Sequence, residues 1–501
     1  MLTWLVFIPI LGMGAVMILP SKKHDWIRWT SVFVTAIQLI LAIALLMNFD
    51  RSEGAYQFME KYEWIKAFNI SYFVGVDGLS MPMVILTPLL MFLSIFASWS
   101  IKKKVKGYFM MFLLLNTGMM GVFVSLDFFL FYIFWEVMLL PMYFLIGIWG
   151  GPKREYAAIK FFLYTLAGSV VMLLAMIALY FKTGTFSFLE MQAEVANFTR
   201  GFQIIVFLAL FFGFAIKVPI FPFHTWLPLA HVEAPTAISV ILAGVLLKMG
   251  TYGILRISYP ILPEGTVWFA PMLAVLGLIN VIYGAMCALA QTDLKKLVAY
   301  SSVNHMGYVL LGMAAVVGLQ QASPEAAQAG MNGALFQMFN HGTITAMLFM
   351  LVGIIYERAH HRDIDGFGGL ASKMPIYAGI MAVAFFAGLG LPGFSGFISE
   401  AMCFIGAFPM YTGIVIVSTL GILFNAGYFL WAYQRIFLGK FNEKYNDIAE
   451  IKTFEIAYLV PLIVVTIFLG VYPQPMLDLM KNTMDSIIEM VNNPVTLSWL
   501  P

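Results

Sequence analysis

Apolar runs of about 20 residues follow one another along the whole chain, separated by short polar segments. This is the pattern of helices that cross a bilayer repeatedly. About 14 runs are predicted, over residues 2–20, 29–48, 77–100, 108–126, 128–149, 158–181, 202–222, 235–257, 267–290, 296–318, 331–356, 374–408, 412–434 and 454–472. A closing amphipathic stretch, "PMLDLMKNTMDSIIEMV", is expected to lie along a surface. The first 20 residues lack a basic start and a small-residue cleavage site, so they read as the first span rather than a removed leader.

Two runs are interrupted by proline and glycine: "KVPIFPF" in the seventh and "GLGLPGFSGF", residues 388–397, in the twelfth. Paired breaks five spans apart point to inverted repeats with ion sites near mid-membrane. The expected fold is therefore all-α and polytopic, with two inverted five-helix repeats (108–257 and 267–434), each holding a broken helix. Three helices precede them in 1–107, a last helix and the amphipathic segment follow in 454–501, and residues 1–501 form one membrane domain. Proline has no N–H, so Pro219 deprives the Ala215 carbonyl of its helical donor, Pro222 that of Val218 and Pro392 that of Gly388. In a bilayer such carbonyls must face protein, an ammonium or water. With Lys217 two residues from Pro219, a hydrated pocket inside the bundle is expected.

Composition agrees with this pattern: 61% of residues are hydrophobic and 11% charged, against roughly a quarter charged in soluble domains. The net charge of +2 gives no reason to expect a nucleic-acid partner. Cys287 and Cys403 both fall in apolar runs, which leaves no disulfide framework and no CxxC metal site. Threading the runs back and forth puts 19 basic residues on one side and 6 on the other. The lysine-rich side is then cytoplasmic and both termini periplasmic. Three basic residues remain inside the membrane: Lys217, Lys248 and Arg256.

Lys248 lies 13 residues after Pro235 and 12 before Pro260, about 18–20 Å from either helix end at 1.5 Å per residue. Its stem cannot reach an interface from there. Glu136 lies near mid-span, Glu400 follows the second break, and His305 and His341 sit inside spans ten and eleven. Ionisable groups at this depth are costly and mark ion or proton paths. A glutamate beside a buried lysine controls its protonation, and histidine relays protons near neutral pH. In chain order Glu136, Lys217, Lys248, His305, His341 and Glu400 form one polar file, each histidine having hydrogen-bonded core packing as its alternative. His224 and His231 flank "TWLPLA" and serve as proton inlets or loop caps. "HHRD" (360–363) reads as a solvated loop, and Asp293 as a loop charge or a partner for Lys295 or Lys296. No phosphate loop, catalytic triad or metal spacing stands out.

The stretch "FAIKVPIFPFHTWLPLAHVEAPTAISVILAGVLLKMGTYGILR" (214–256) closely resembles the antiporter-like membrane subunits of respiratory complex I. So do "GVDGLSMP", "FFLFYIFWEVMLLPMYFLIGIWGG", "LKKLVAYSSVNHMGYV", "NHGTITAMLFMLVG" and "LGLPGFSGFISE", so the resemblance spans nearly the whole chain. Lysine in "LLKMGTYGILR" fits the type called chain M in bacteria and chain 4 in mitochondria. The resemblance implies Glu136 and Lys217 as a coupled pair, Lys248 as the central relay, Glu400 as the exit-side group, and His305 and His341 as the polar axis between them. It also implies a proton-translocating subunit of an NADH:quinone oxidoreductase in a bacterial inner membrane. The chain itself then carries no cofactor, and NAD, FMN, iron–sulfur clusters and quinone belong to partner subunits. Its partners are the lipid bilayer and other membrane subunits, neighbouring antiporter-like ones included. At two positions the chain departs from that family: Leu229 stands where a polar residue is usual and Ile238 where glycine is usual. The rival readings are an Mrp-type cation/proton antiporter subunit, a membrane-bound hydrogenase subunit, a haem-bearing oxidase and a passive scaffold. The scaffold has no use for mid-membrane lysines.

Overall fold

The computed structural model describes residues 1–321 and 323–493; residues 494–501 of the 454–501 segment lie outside the described residues. The chain opens with α1 (Leu2–Ile18) and α2 (His24–Met47). A hairpin of β1 (Gln57–Ile65) and β2 (Ile70–Val76) leads into α3 (Met81–Ala97) and α4 (Val105–Val124). Next come α5 (Phe128–Val137), α6 (Leu139–Trp149), α7 (Arg154–Thr183), the short α8 (Phe188–Ala193), α9 (Arg200–Lys217) and α10 (Trp226–Glu233). Then follow α11 (Thr236–Ile261) and α12 (Pro263–Leu289), α13 (Leu294–Ala314), α14 (Pro324–Ala359), α15 (Pro375–Gly388) and α16 (Ser395–Ala407). The chain closes with α17 (Thr412–Phe437), α18 (Thr453–Val471) and α19 (Gln474–Asn492).

Among the described residues ten helices, counting α5 and α6 as one, are long and apolar enough to cross a membrane; α1, α3, α15 and α16 are shorter apolar helices. The 21-residue α13 carries Ser301, Ser302, Asn304 and His305, all buried, so its polar groups face the bundle interior. The most apolar stretches of α11 and α14 are wholly buried, whereas only about a third of those of α7, α17 and α18 is buried. The helices carrying Lys248 and His341 therefore occupy the centre, where a charge can be shielded from lipid.

The hairpin corrects the all-α expectation. Its strands pair antiparallel, with Tyr62 opposite Tyr72. It is anchored rather than free: the Leu126 N–H donates to the Phe73 carbonyl at 2.9 Å, and Leu2 N–H to Glu60 at 2.9 Å. Pairing satisfies backbone groups that a bare loop would leave to solvent. The amphipathic α19 does lie along a surface, that of the protein itself. Thr483 accepts from Gly78 N–H at 2.9 Å, while Asn482 and Asn492 donate to the carbonyls of Arg51 and Val316, each at 2.8 Å.

Both proline breaks are present, and protein donors reach carbonyls at each. At the first, α9 stops at Lys217 and the chain runs through a cis Phe221–Pro222 bond into α10. The Ala215 carbonyl accepts from Ile220 N–H at 2.8 Å, and the Ile216 carbonyl from the Trp226 indole at 2.9 Å. Asn280 of α12 accepts from Phe221 N–H at 2.9 Å and donates to the Pro219 carbonyl at 3.4 Å. At the second, Gly390 and Gly393 adopt positive φ (79° and 99°), a region glycine enters without a Cβ penalty. Asn425 of α17 donates to the freed Gly388 carbonyl at 3.3 Å.

Candidate functional site

Lys248 sits in α11 between two wide π-type turns, Leu242–Leu246 and Ile254–Ser258. Such bulges loosen the backbone ladder and recur at functional sites. Its ammonium donates to the Ala243 carbonyl, five residues back, and lies 2.6 Å from Nδ1 of His341 on α14. If the ammonium donates in that contact, Nδ1 accepts and the ring hydrogen sits on Nε2. Lys248 is fully buried and His341 is 2% exposed. The His341 ring is 5.5 Å from that of His305 on α13. His305 Nδ1 in turn lies 2.9 Å from Oε1 of Glu400 on α16.

Four of the six predicted groups thus form a continuous buried file: Lys248, His341, His305, Glu400. In space the two histidines exchange the order they have along the chain. A small cavity at its Glu400 end is lined by His305, Gln337, His341 and Glu400, with Gly388 and Gly396 of the second break. Glu400 is held from a second side by Gln337, whose Nε2 donates to Oε1 at 3.1 Å. Gln337 accepts from Ser399 at 2.5 Å, and Ser399 accepts from Asn340 at 3.0 Å.

The remaining two predicted groups form a separate cluster. Lys217, the last residue of α9, is 2% exposed and places its ammonium 5.0 Å from the Trp135 ring and 5.9 Å from that of Phe161. Two aromatic faces partly replace the water a buried ammonium loses. Glu136, next to Trp135 and just before α5 gives way to α6, is the carboxylate whose field reaches Lys217. Among the described residues its buried Oε1 has no hydrogen-bond partner. The Lys217 break packs directly on α11: a Cβ on Gly250 would meet Val218 Cγ2 at 2.6 Å and the Phe214 carbonyl at 2.7 Å. The first break therefore touches α11 two residues from Lys248.

His224 is buried among Phe221, Tyr283 and Tyr300. His231 is fully buried and stacked on Phe349 of α14 at 4.6 Å, and among the described residues neither ring nitrogen has a hydrogen-bond partner. Leu229 lies in α10, partly buried. Asp293 caps α13, accepting from the backbone N–H of Lys295 and Lys296, and its ion pair at 3.3 Å is with Arg362. That corrects the pairing with the lysine side chains: Lys295 is buried and donates instead to the Ala234 carbonyl at 2.6 Å. In the 360–363 loop, Arg362 also donates to the Val232 carbonyl at 3.0 Å, and His361 binds Tyr445.

Sequence reasoning left several residues without a role. Arg256 holds Asp77 through both carboxylate oxygens, at 2.5 and 2.7 Å, and also donates to Tyr56 at 2.9 Å. Both partners of this pair are buried. The signal was available: Asp77 is an acid in a predicted span, and Arg256 was left unpaired. Gln337, Asn340, Ser399, Asn280 and Asn425 are uncharged, and only their place in apolar helices could have marked them.

Two family models match the chain. One, described as NADH:quinone oxidoreductase/Mrp antiporter, transmembrane, covers residues 125–425. The other, NADH-ubiquinone oxidoreductase chain 4, amino terminus, covers residues 1–126. The chain is 43% identical over 474 residues to a NADH-quinone oxidoreductase subunit M of Rhodobacter capsulatus, covering 92% of this chain and 90% of that one. Among solved structures, it matches a chain of respiratory complex I from Thermus thermophilus with TM-score 0.88 and 26% identity, covering 98% of this chain and 100% of that one. A chain of the Mrp complex from Dietzia sp. shares the fold with TM-score 0.84 at 21% identity, covering 99% and 98%.

Proposed function

The chain belongs to the NADH:quinone oxidoreductase/Mrp antiporter family of membrane proteins, and we propose that it translocates protons as a membrane subunit of an NADH:quinone oxidoreductase. The observation that carries this reading is the buried file from Lys248 through His341 and His305 to Glu400. The 43% identity to subunit M over nine-tenths of the chain favours this reading over an Mrp-type antiporter, whose solved chain is 21% identical.

In this reading Lys248 releases a proton to His341 across 2.6 Å, and the ring passes one on to His305, directly or through a single water. His305 hands it to Oε1 of Glu400, and Gln337 keeps that oxygen facing the ring. Lys217 loads α11 from the first break, with Glu136 setting whether its ammonium holds or releases a proton. A charge rearrangement in a neighbouring subunit triggers each transfer. NAD, FMN, iron–sulfur clusters and quinone work in partner subunits.

The proposed architecture has 14 spans, ten of them in two inverted five-helix repeats (108–257 and 267–434). The fourth span of each repeat is the broken one, α9/α10 and α15/α16. The loop lysines favour periplasmic termini and a bacterial inner membrane. Lys217→Ala in the complete complex tests the loading step. NADH oxidation by an assembled complex that moves fewer protons supports it, and unchanged pumping refutes it.

A further inference from the structure

At the lysine-rich end of the first four helices, two loops come together. The 19–23 turn joins α1 to α2, and the 98–104 loop joins α3 to α4. They are laced by side chains that spend themselves on structure. Lys106 donates to the carbonyls of Met17 and Leu19 at 2.6 and 2.9 Å. Arg28 donates to the Ile101 carbonyl at 3.0 Å and stacks over Trp99, which also packs on Trp29 at 5.5 Å. The Trp149 indole holds the Lys103 carbonyl at 2.6 Å.

What is left over is five exposed lysines: Lys22, Lys23, Lys102, Lys103 and Lys104. Among the described residues none of these ammoniums meets a carboxylate; the two loops hold no acid, and Asp25, in the first turn of α2, is engaged by Arg28. Directly beside the lysines the helix flanks are oily. Ile18 is 86% exposed, and Trp26, Trp29 and Phe33 are well exposed too. A patch of unpaired ammoniums above an exposed apolar flank with tryptophans at the boundary has the layout of a phospholipid: charge at the headgroup, rings at the interface, acyl chains below.

We propose that this corner binds anionic phospholipid headgroups of the bilayer, with the lysines on the phosphodiester and the Ile18/Trp26/Phe33 flank against the acyl chains. A soluble acidic protein would meet the ammoniums but leave that flank uncovered. The stable lacing beneath presents the five charges on a fixed base, which lowers the ordering cost of binding.

The test uses the complete complex in detergent, stripped of lipid and titrated with phosphatidylglycerol or phosphatidylcholine, with bound lipid counted by native mass spectrometry. Phosphatidylglycerol is retained preferentially, and inorganic phosphate in large excess over the lipid does not displace it. At roughly fivefold in affinity per engaged lysine, the combined variant K22Q/K23Q/K102Q/K103Q/K104Q binds at least about 25-fold more weakly; the five-arginine counterpart binds as the parent does. Should the glutamine variant fail to insert, the parent's affinity must still fall steeply with added salt. Equal retention by both variants, salt-independent binding, displacement by phosphate, or loss of a soluble subunit with lipid unchanged would each overturn the proposal.

Discussion

The Lys248 ammonium on α11 lies 2.6 Å from Nδ1 of His341 on α14, between two helices whose most apolar stretches are wholly buried. No carboxylate lies between the two nitrogens, so a proton handed from an ammonium here to a neutral ring would cross without separating opposite charges. His341→Leu leaves the ammonium only the Ala243 carbonyl. It is expected to cost about 1–3 kcal/mol of stability, whereas Lys248→Met, which removes the charge and keeps the shape, is nearly neutral. Thermal unfolding of the two purified complexes makes the comparison.

Gln337 holds Oε1 of Glu400 beside His305. Removing this donor with Gln337→Leu is expected to slow proton movement by roughly tenfold, the rate equivalent of one hydrogen bond, without loss of assembled complex. Ser399→Ala, one bond further out, has a smaller effect in the same direction. Vesicle acidification rates at matched NADH oxidation distinguish the two.

The Arg256–Asp77 pair ties α11 to the segment before α3 and is buried on both sides. Asp77→Leu strands the guanidinium and is expected to cost about 3–5 kcal/mol, while the double change with Arg256→Leu recovers most of it. Subunit abundance in membranes and the midpoint of thermal aggregation report the difference.

Gly250 meets the first break at van der Waals limits. Gly250→Val is expected to push α11 from Val218, costing about 1–3 kcal/mol and lowering proton movement more than Gly201→Val, where an added Cβ meets nothing. Pumping equal in the two variants would contradict direct coupling between the break and α11.

In the 360–363 loop, burial, aided by Lys444, holds the His361 ring below its ordinary pKa, against the pull of Asp363. The folded loop therefore favours the neutral ring. Its stabilising contribution is present above about pH 6.5 and is lost as pH falls through the depressed folded value. Amide-exchange protection over residues 360–368, with the intrinsic base-catalysed rate divided out, should fall between pH 7.5 and about 5.5 (a span bracketing the ordinary histidine value), and His361→Gln should remove that fall in protection.

Lys248 could be read from the chain because two prolines bound its helix and place it beyond the reach of either interface. Glu400 and Lys217 were marked by the breaks beside them. The order of the histidines was not legible, since it depends on which turn of α14 faces α11. Proline chemistry identifies which carbonyls are freed, yet their partners come from elsewhere: Ile220 donates to that of Ala215 and Asn425 to that of Gly388, while Trp226 serves the neighbouring Ile216 carbonyl and Asn280 braces the first break. The hairpin was missed because its strands lie in a polar, aromatic-rich segment between two far stronger apolar runs. The Asp77–Arg256 pair spans 179 residues of chain, a distance no local pattern bridges.

The central claim is that protons pass through Lys248. The most direct measurement is the number of protons moved per NADH oxidised by the Lys248→Met complex in sealed vesicles, with assembly verified. A lower ratio than the parent's, at intact NADH oxidation, is the predicted result. An unchanged ratio in a fully assembled complex would contradict it.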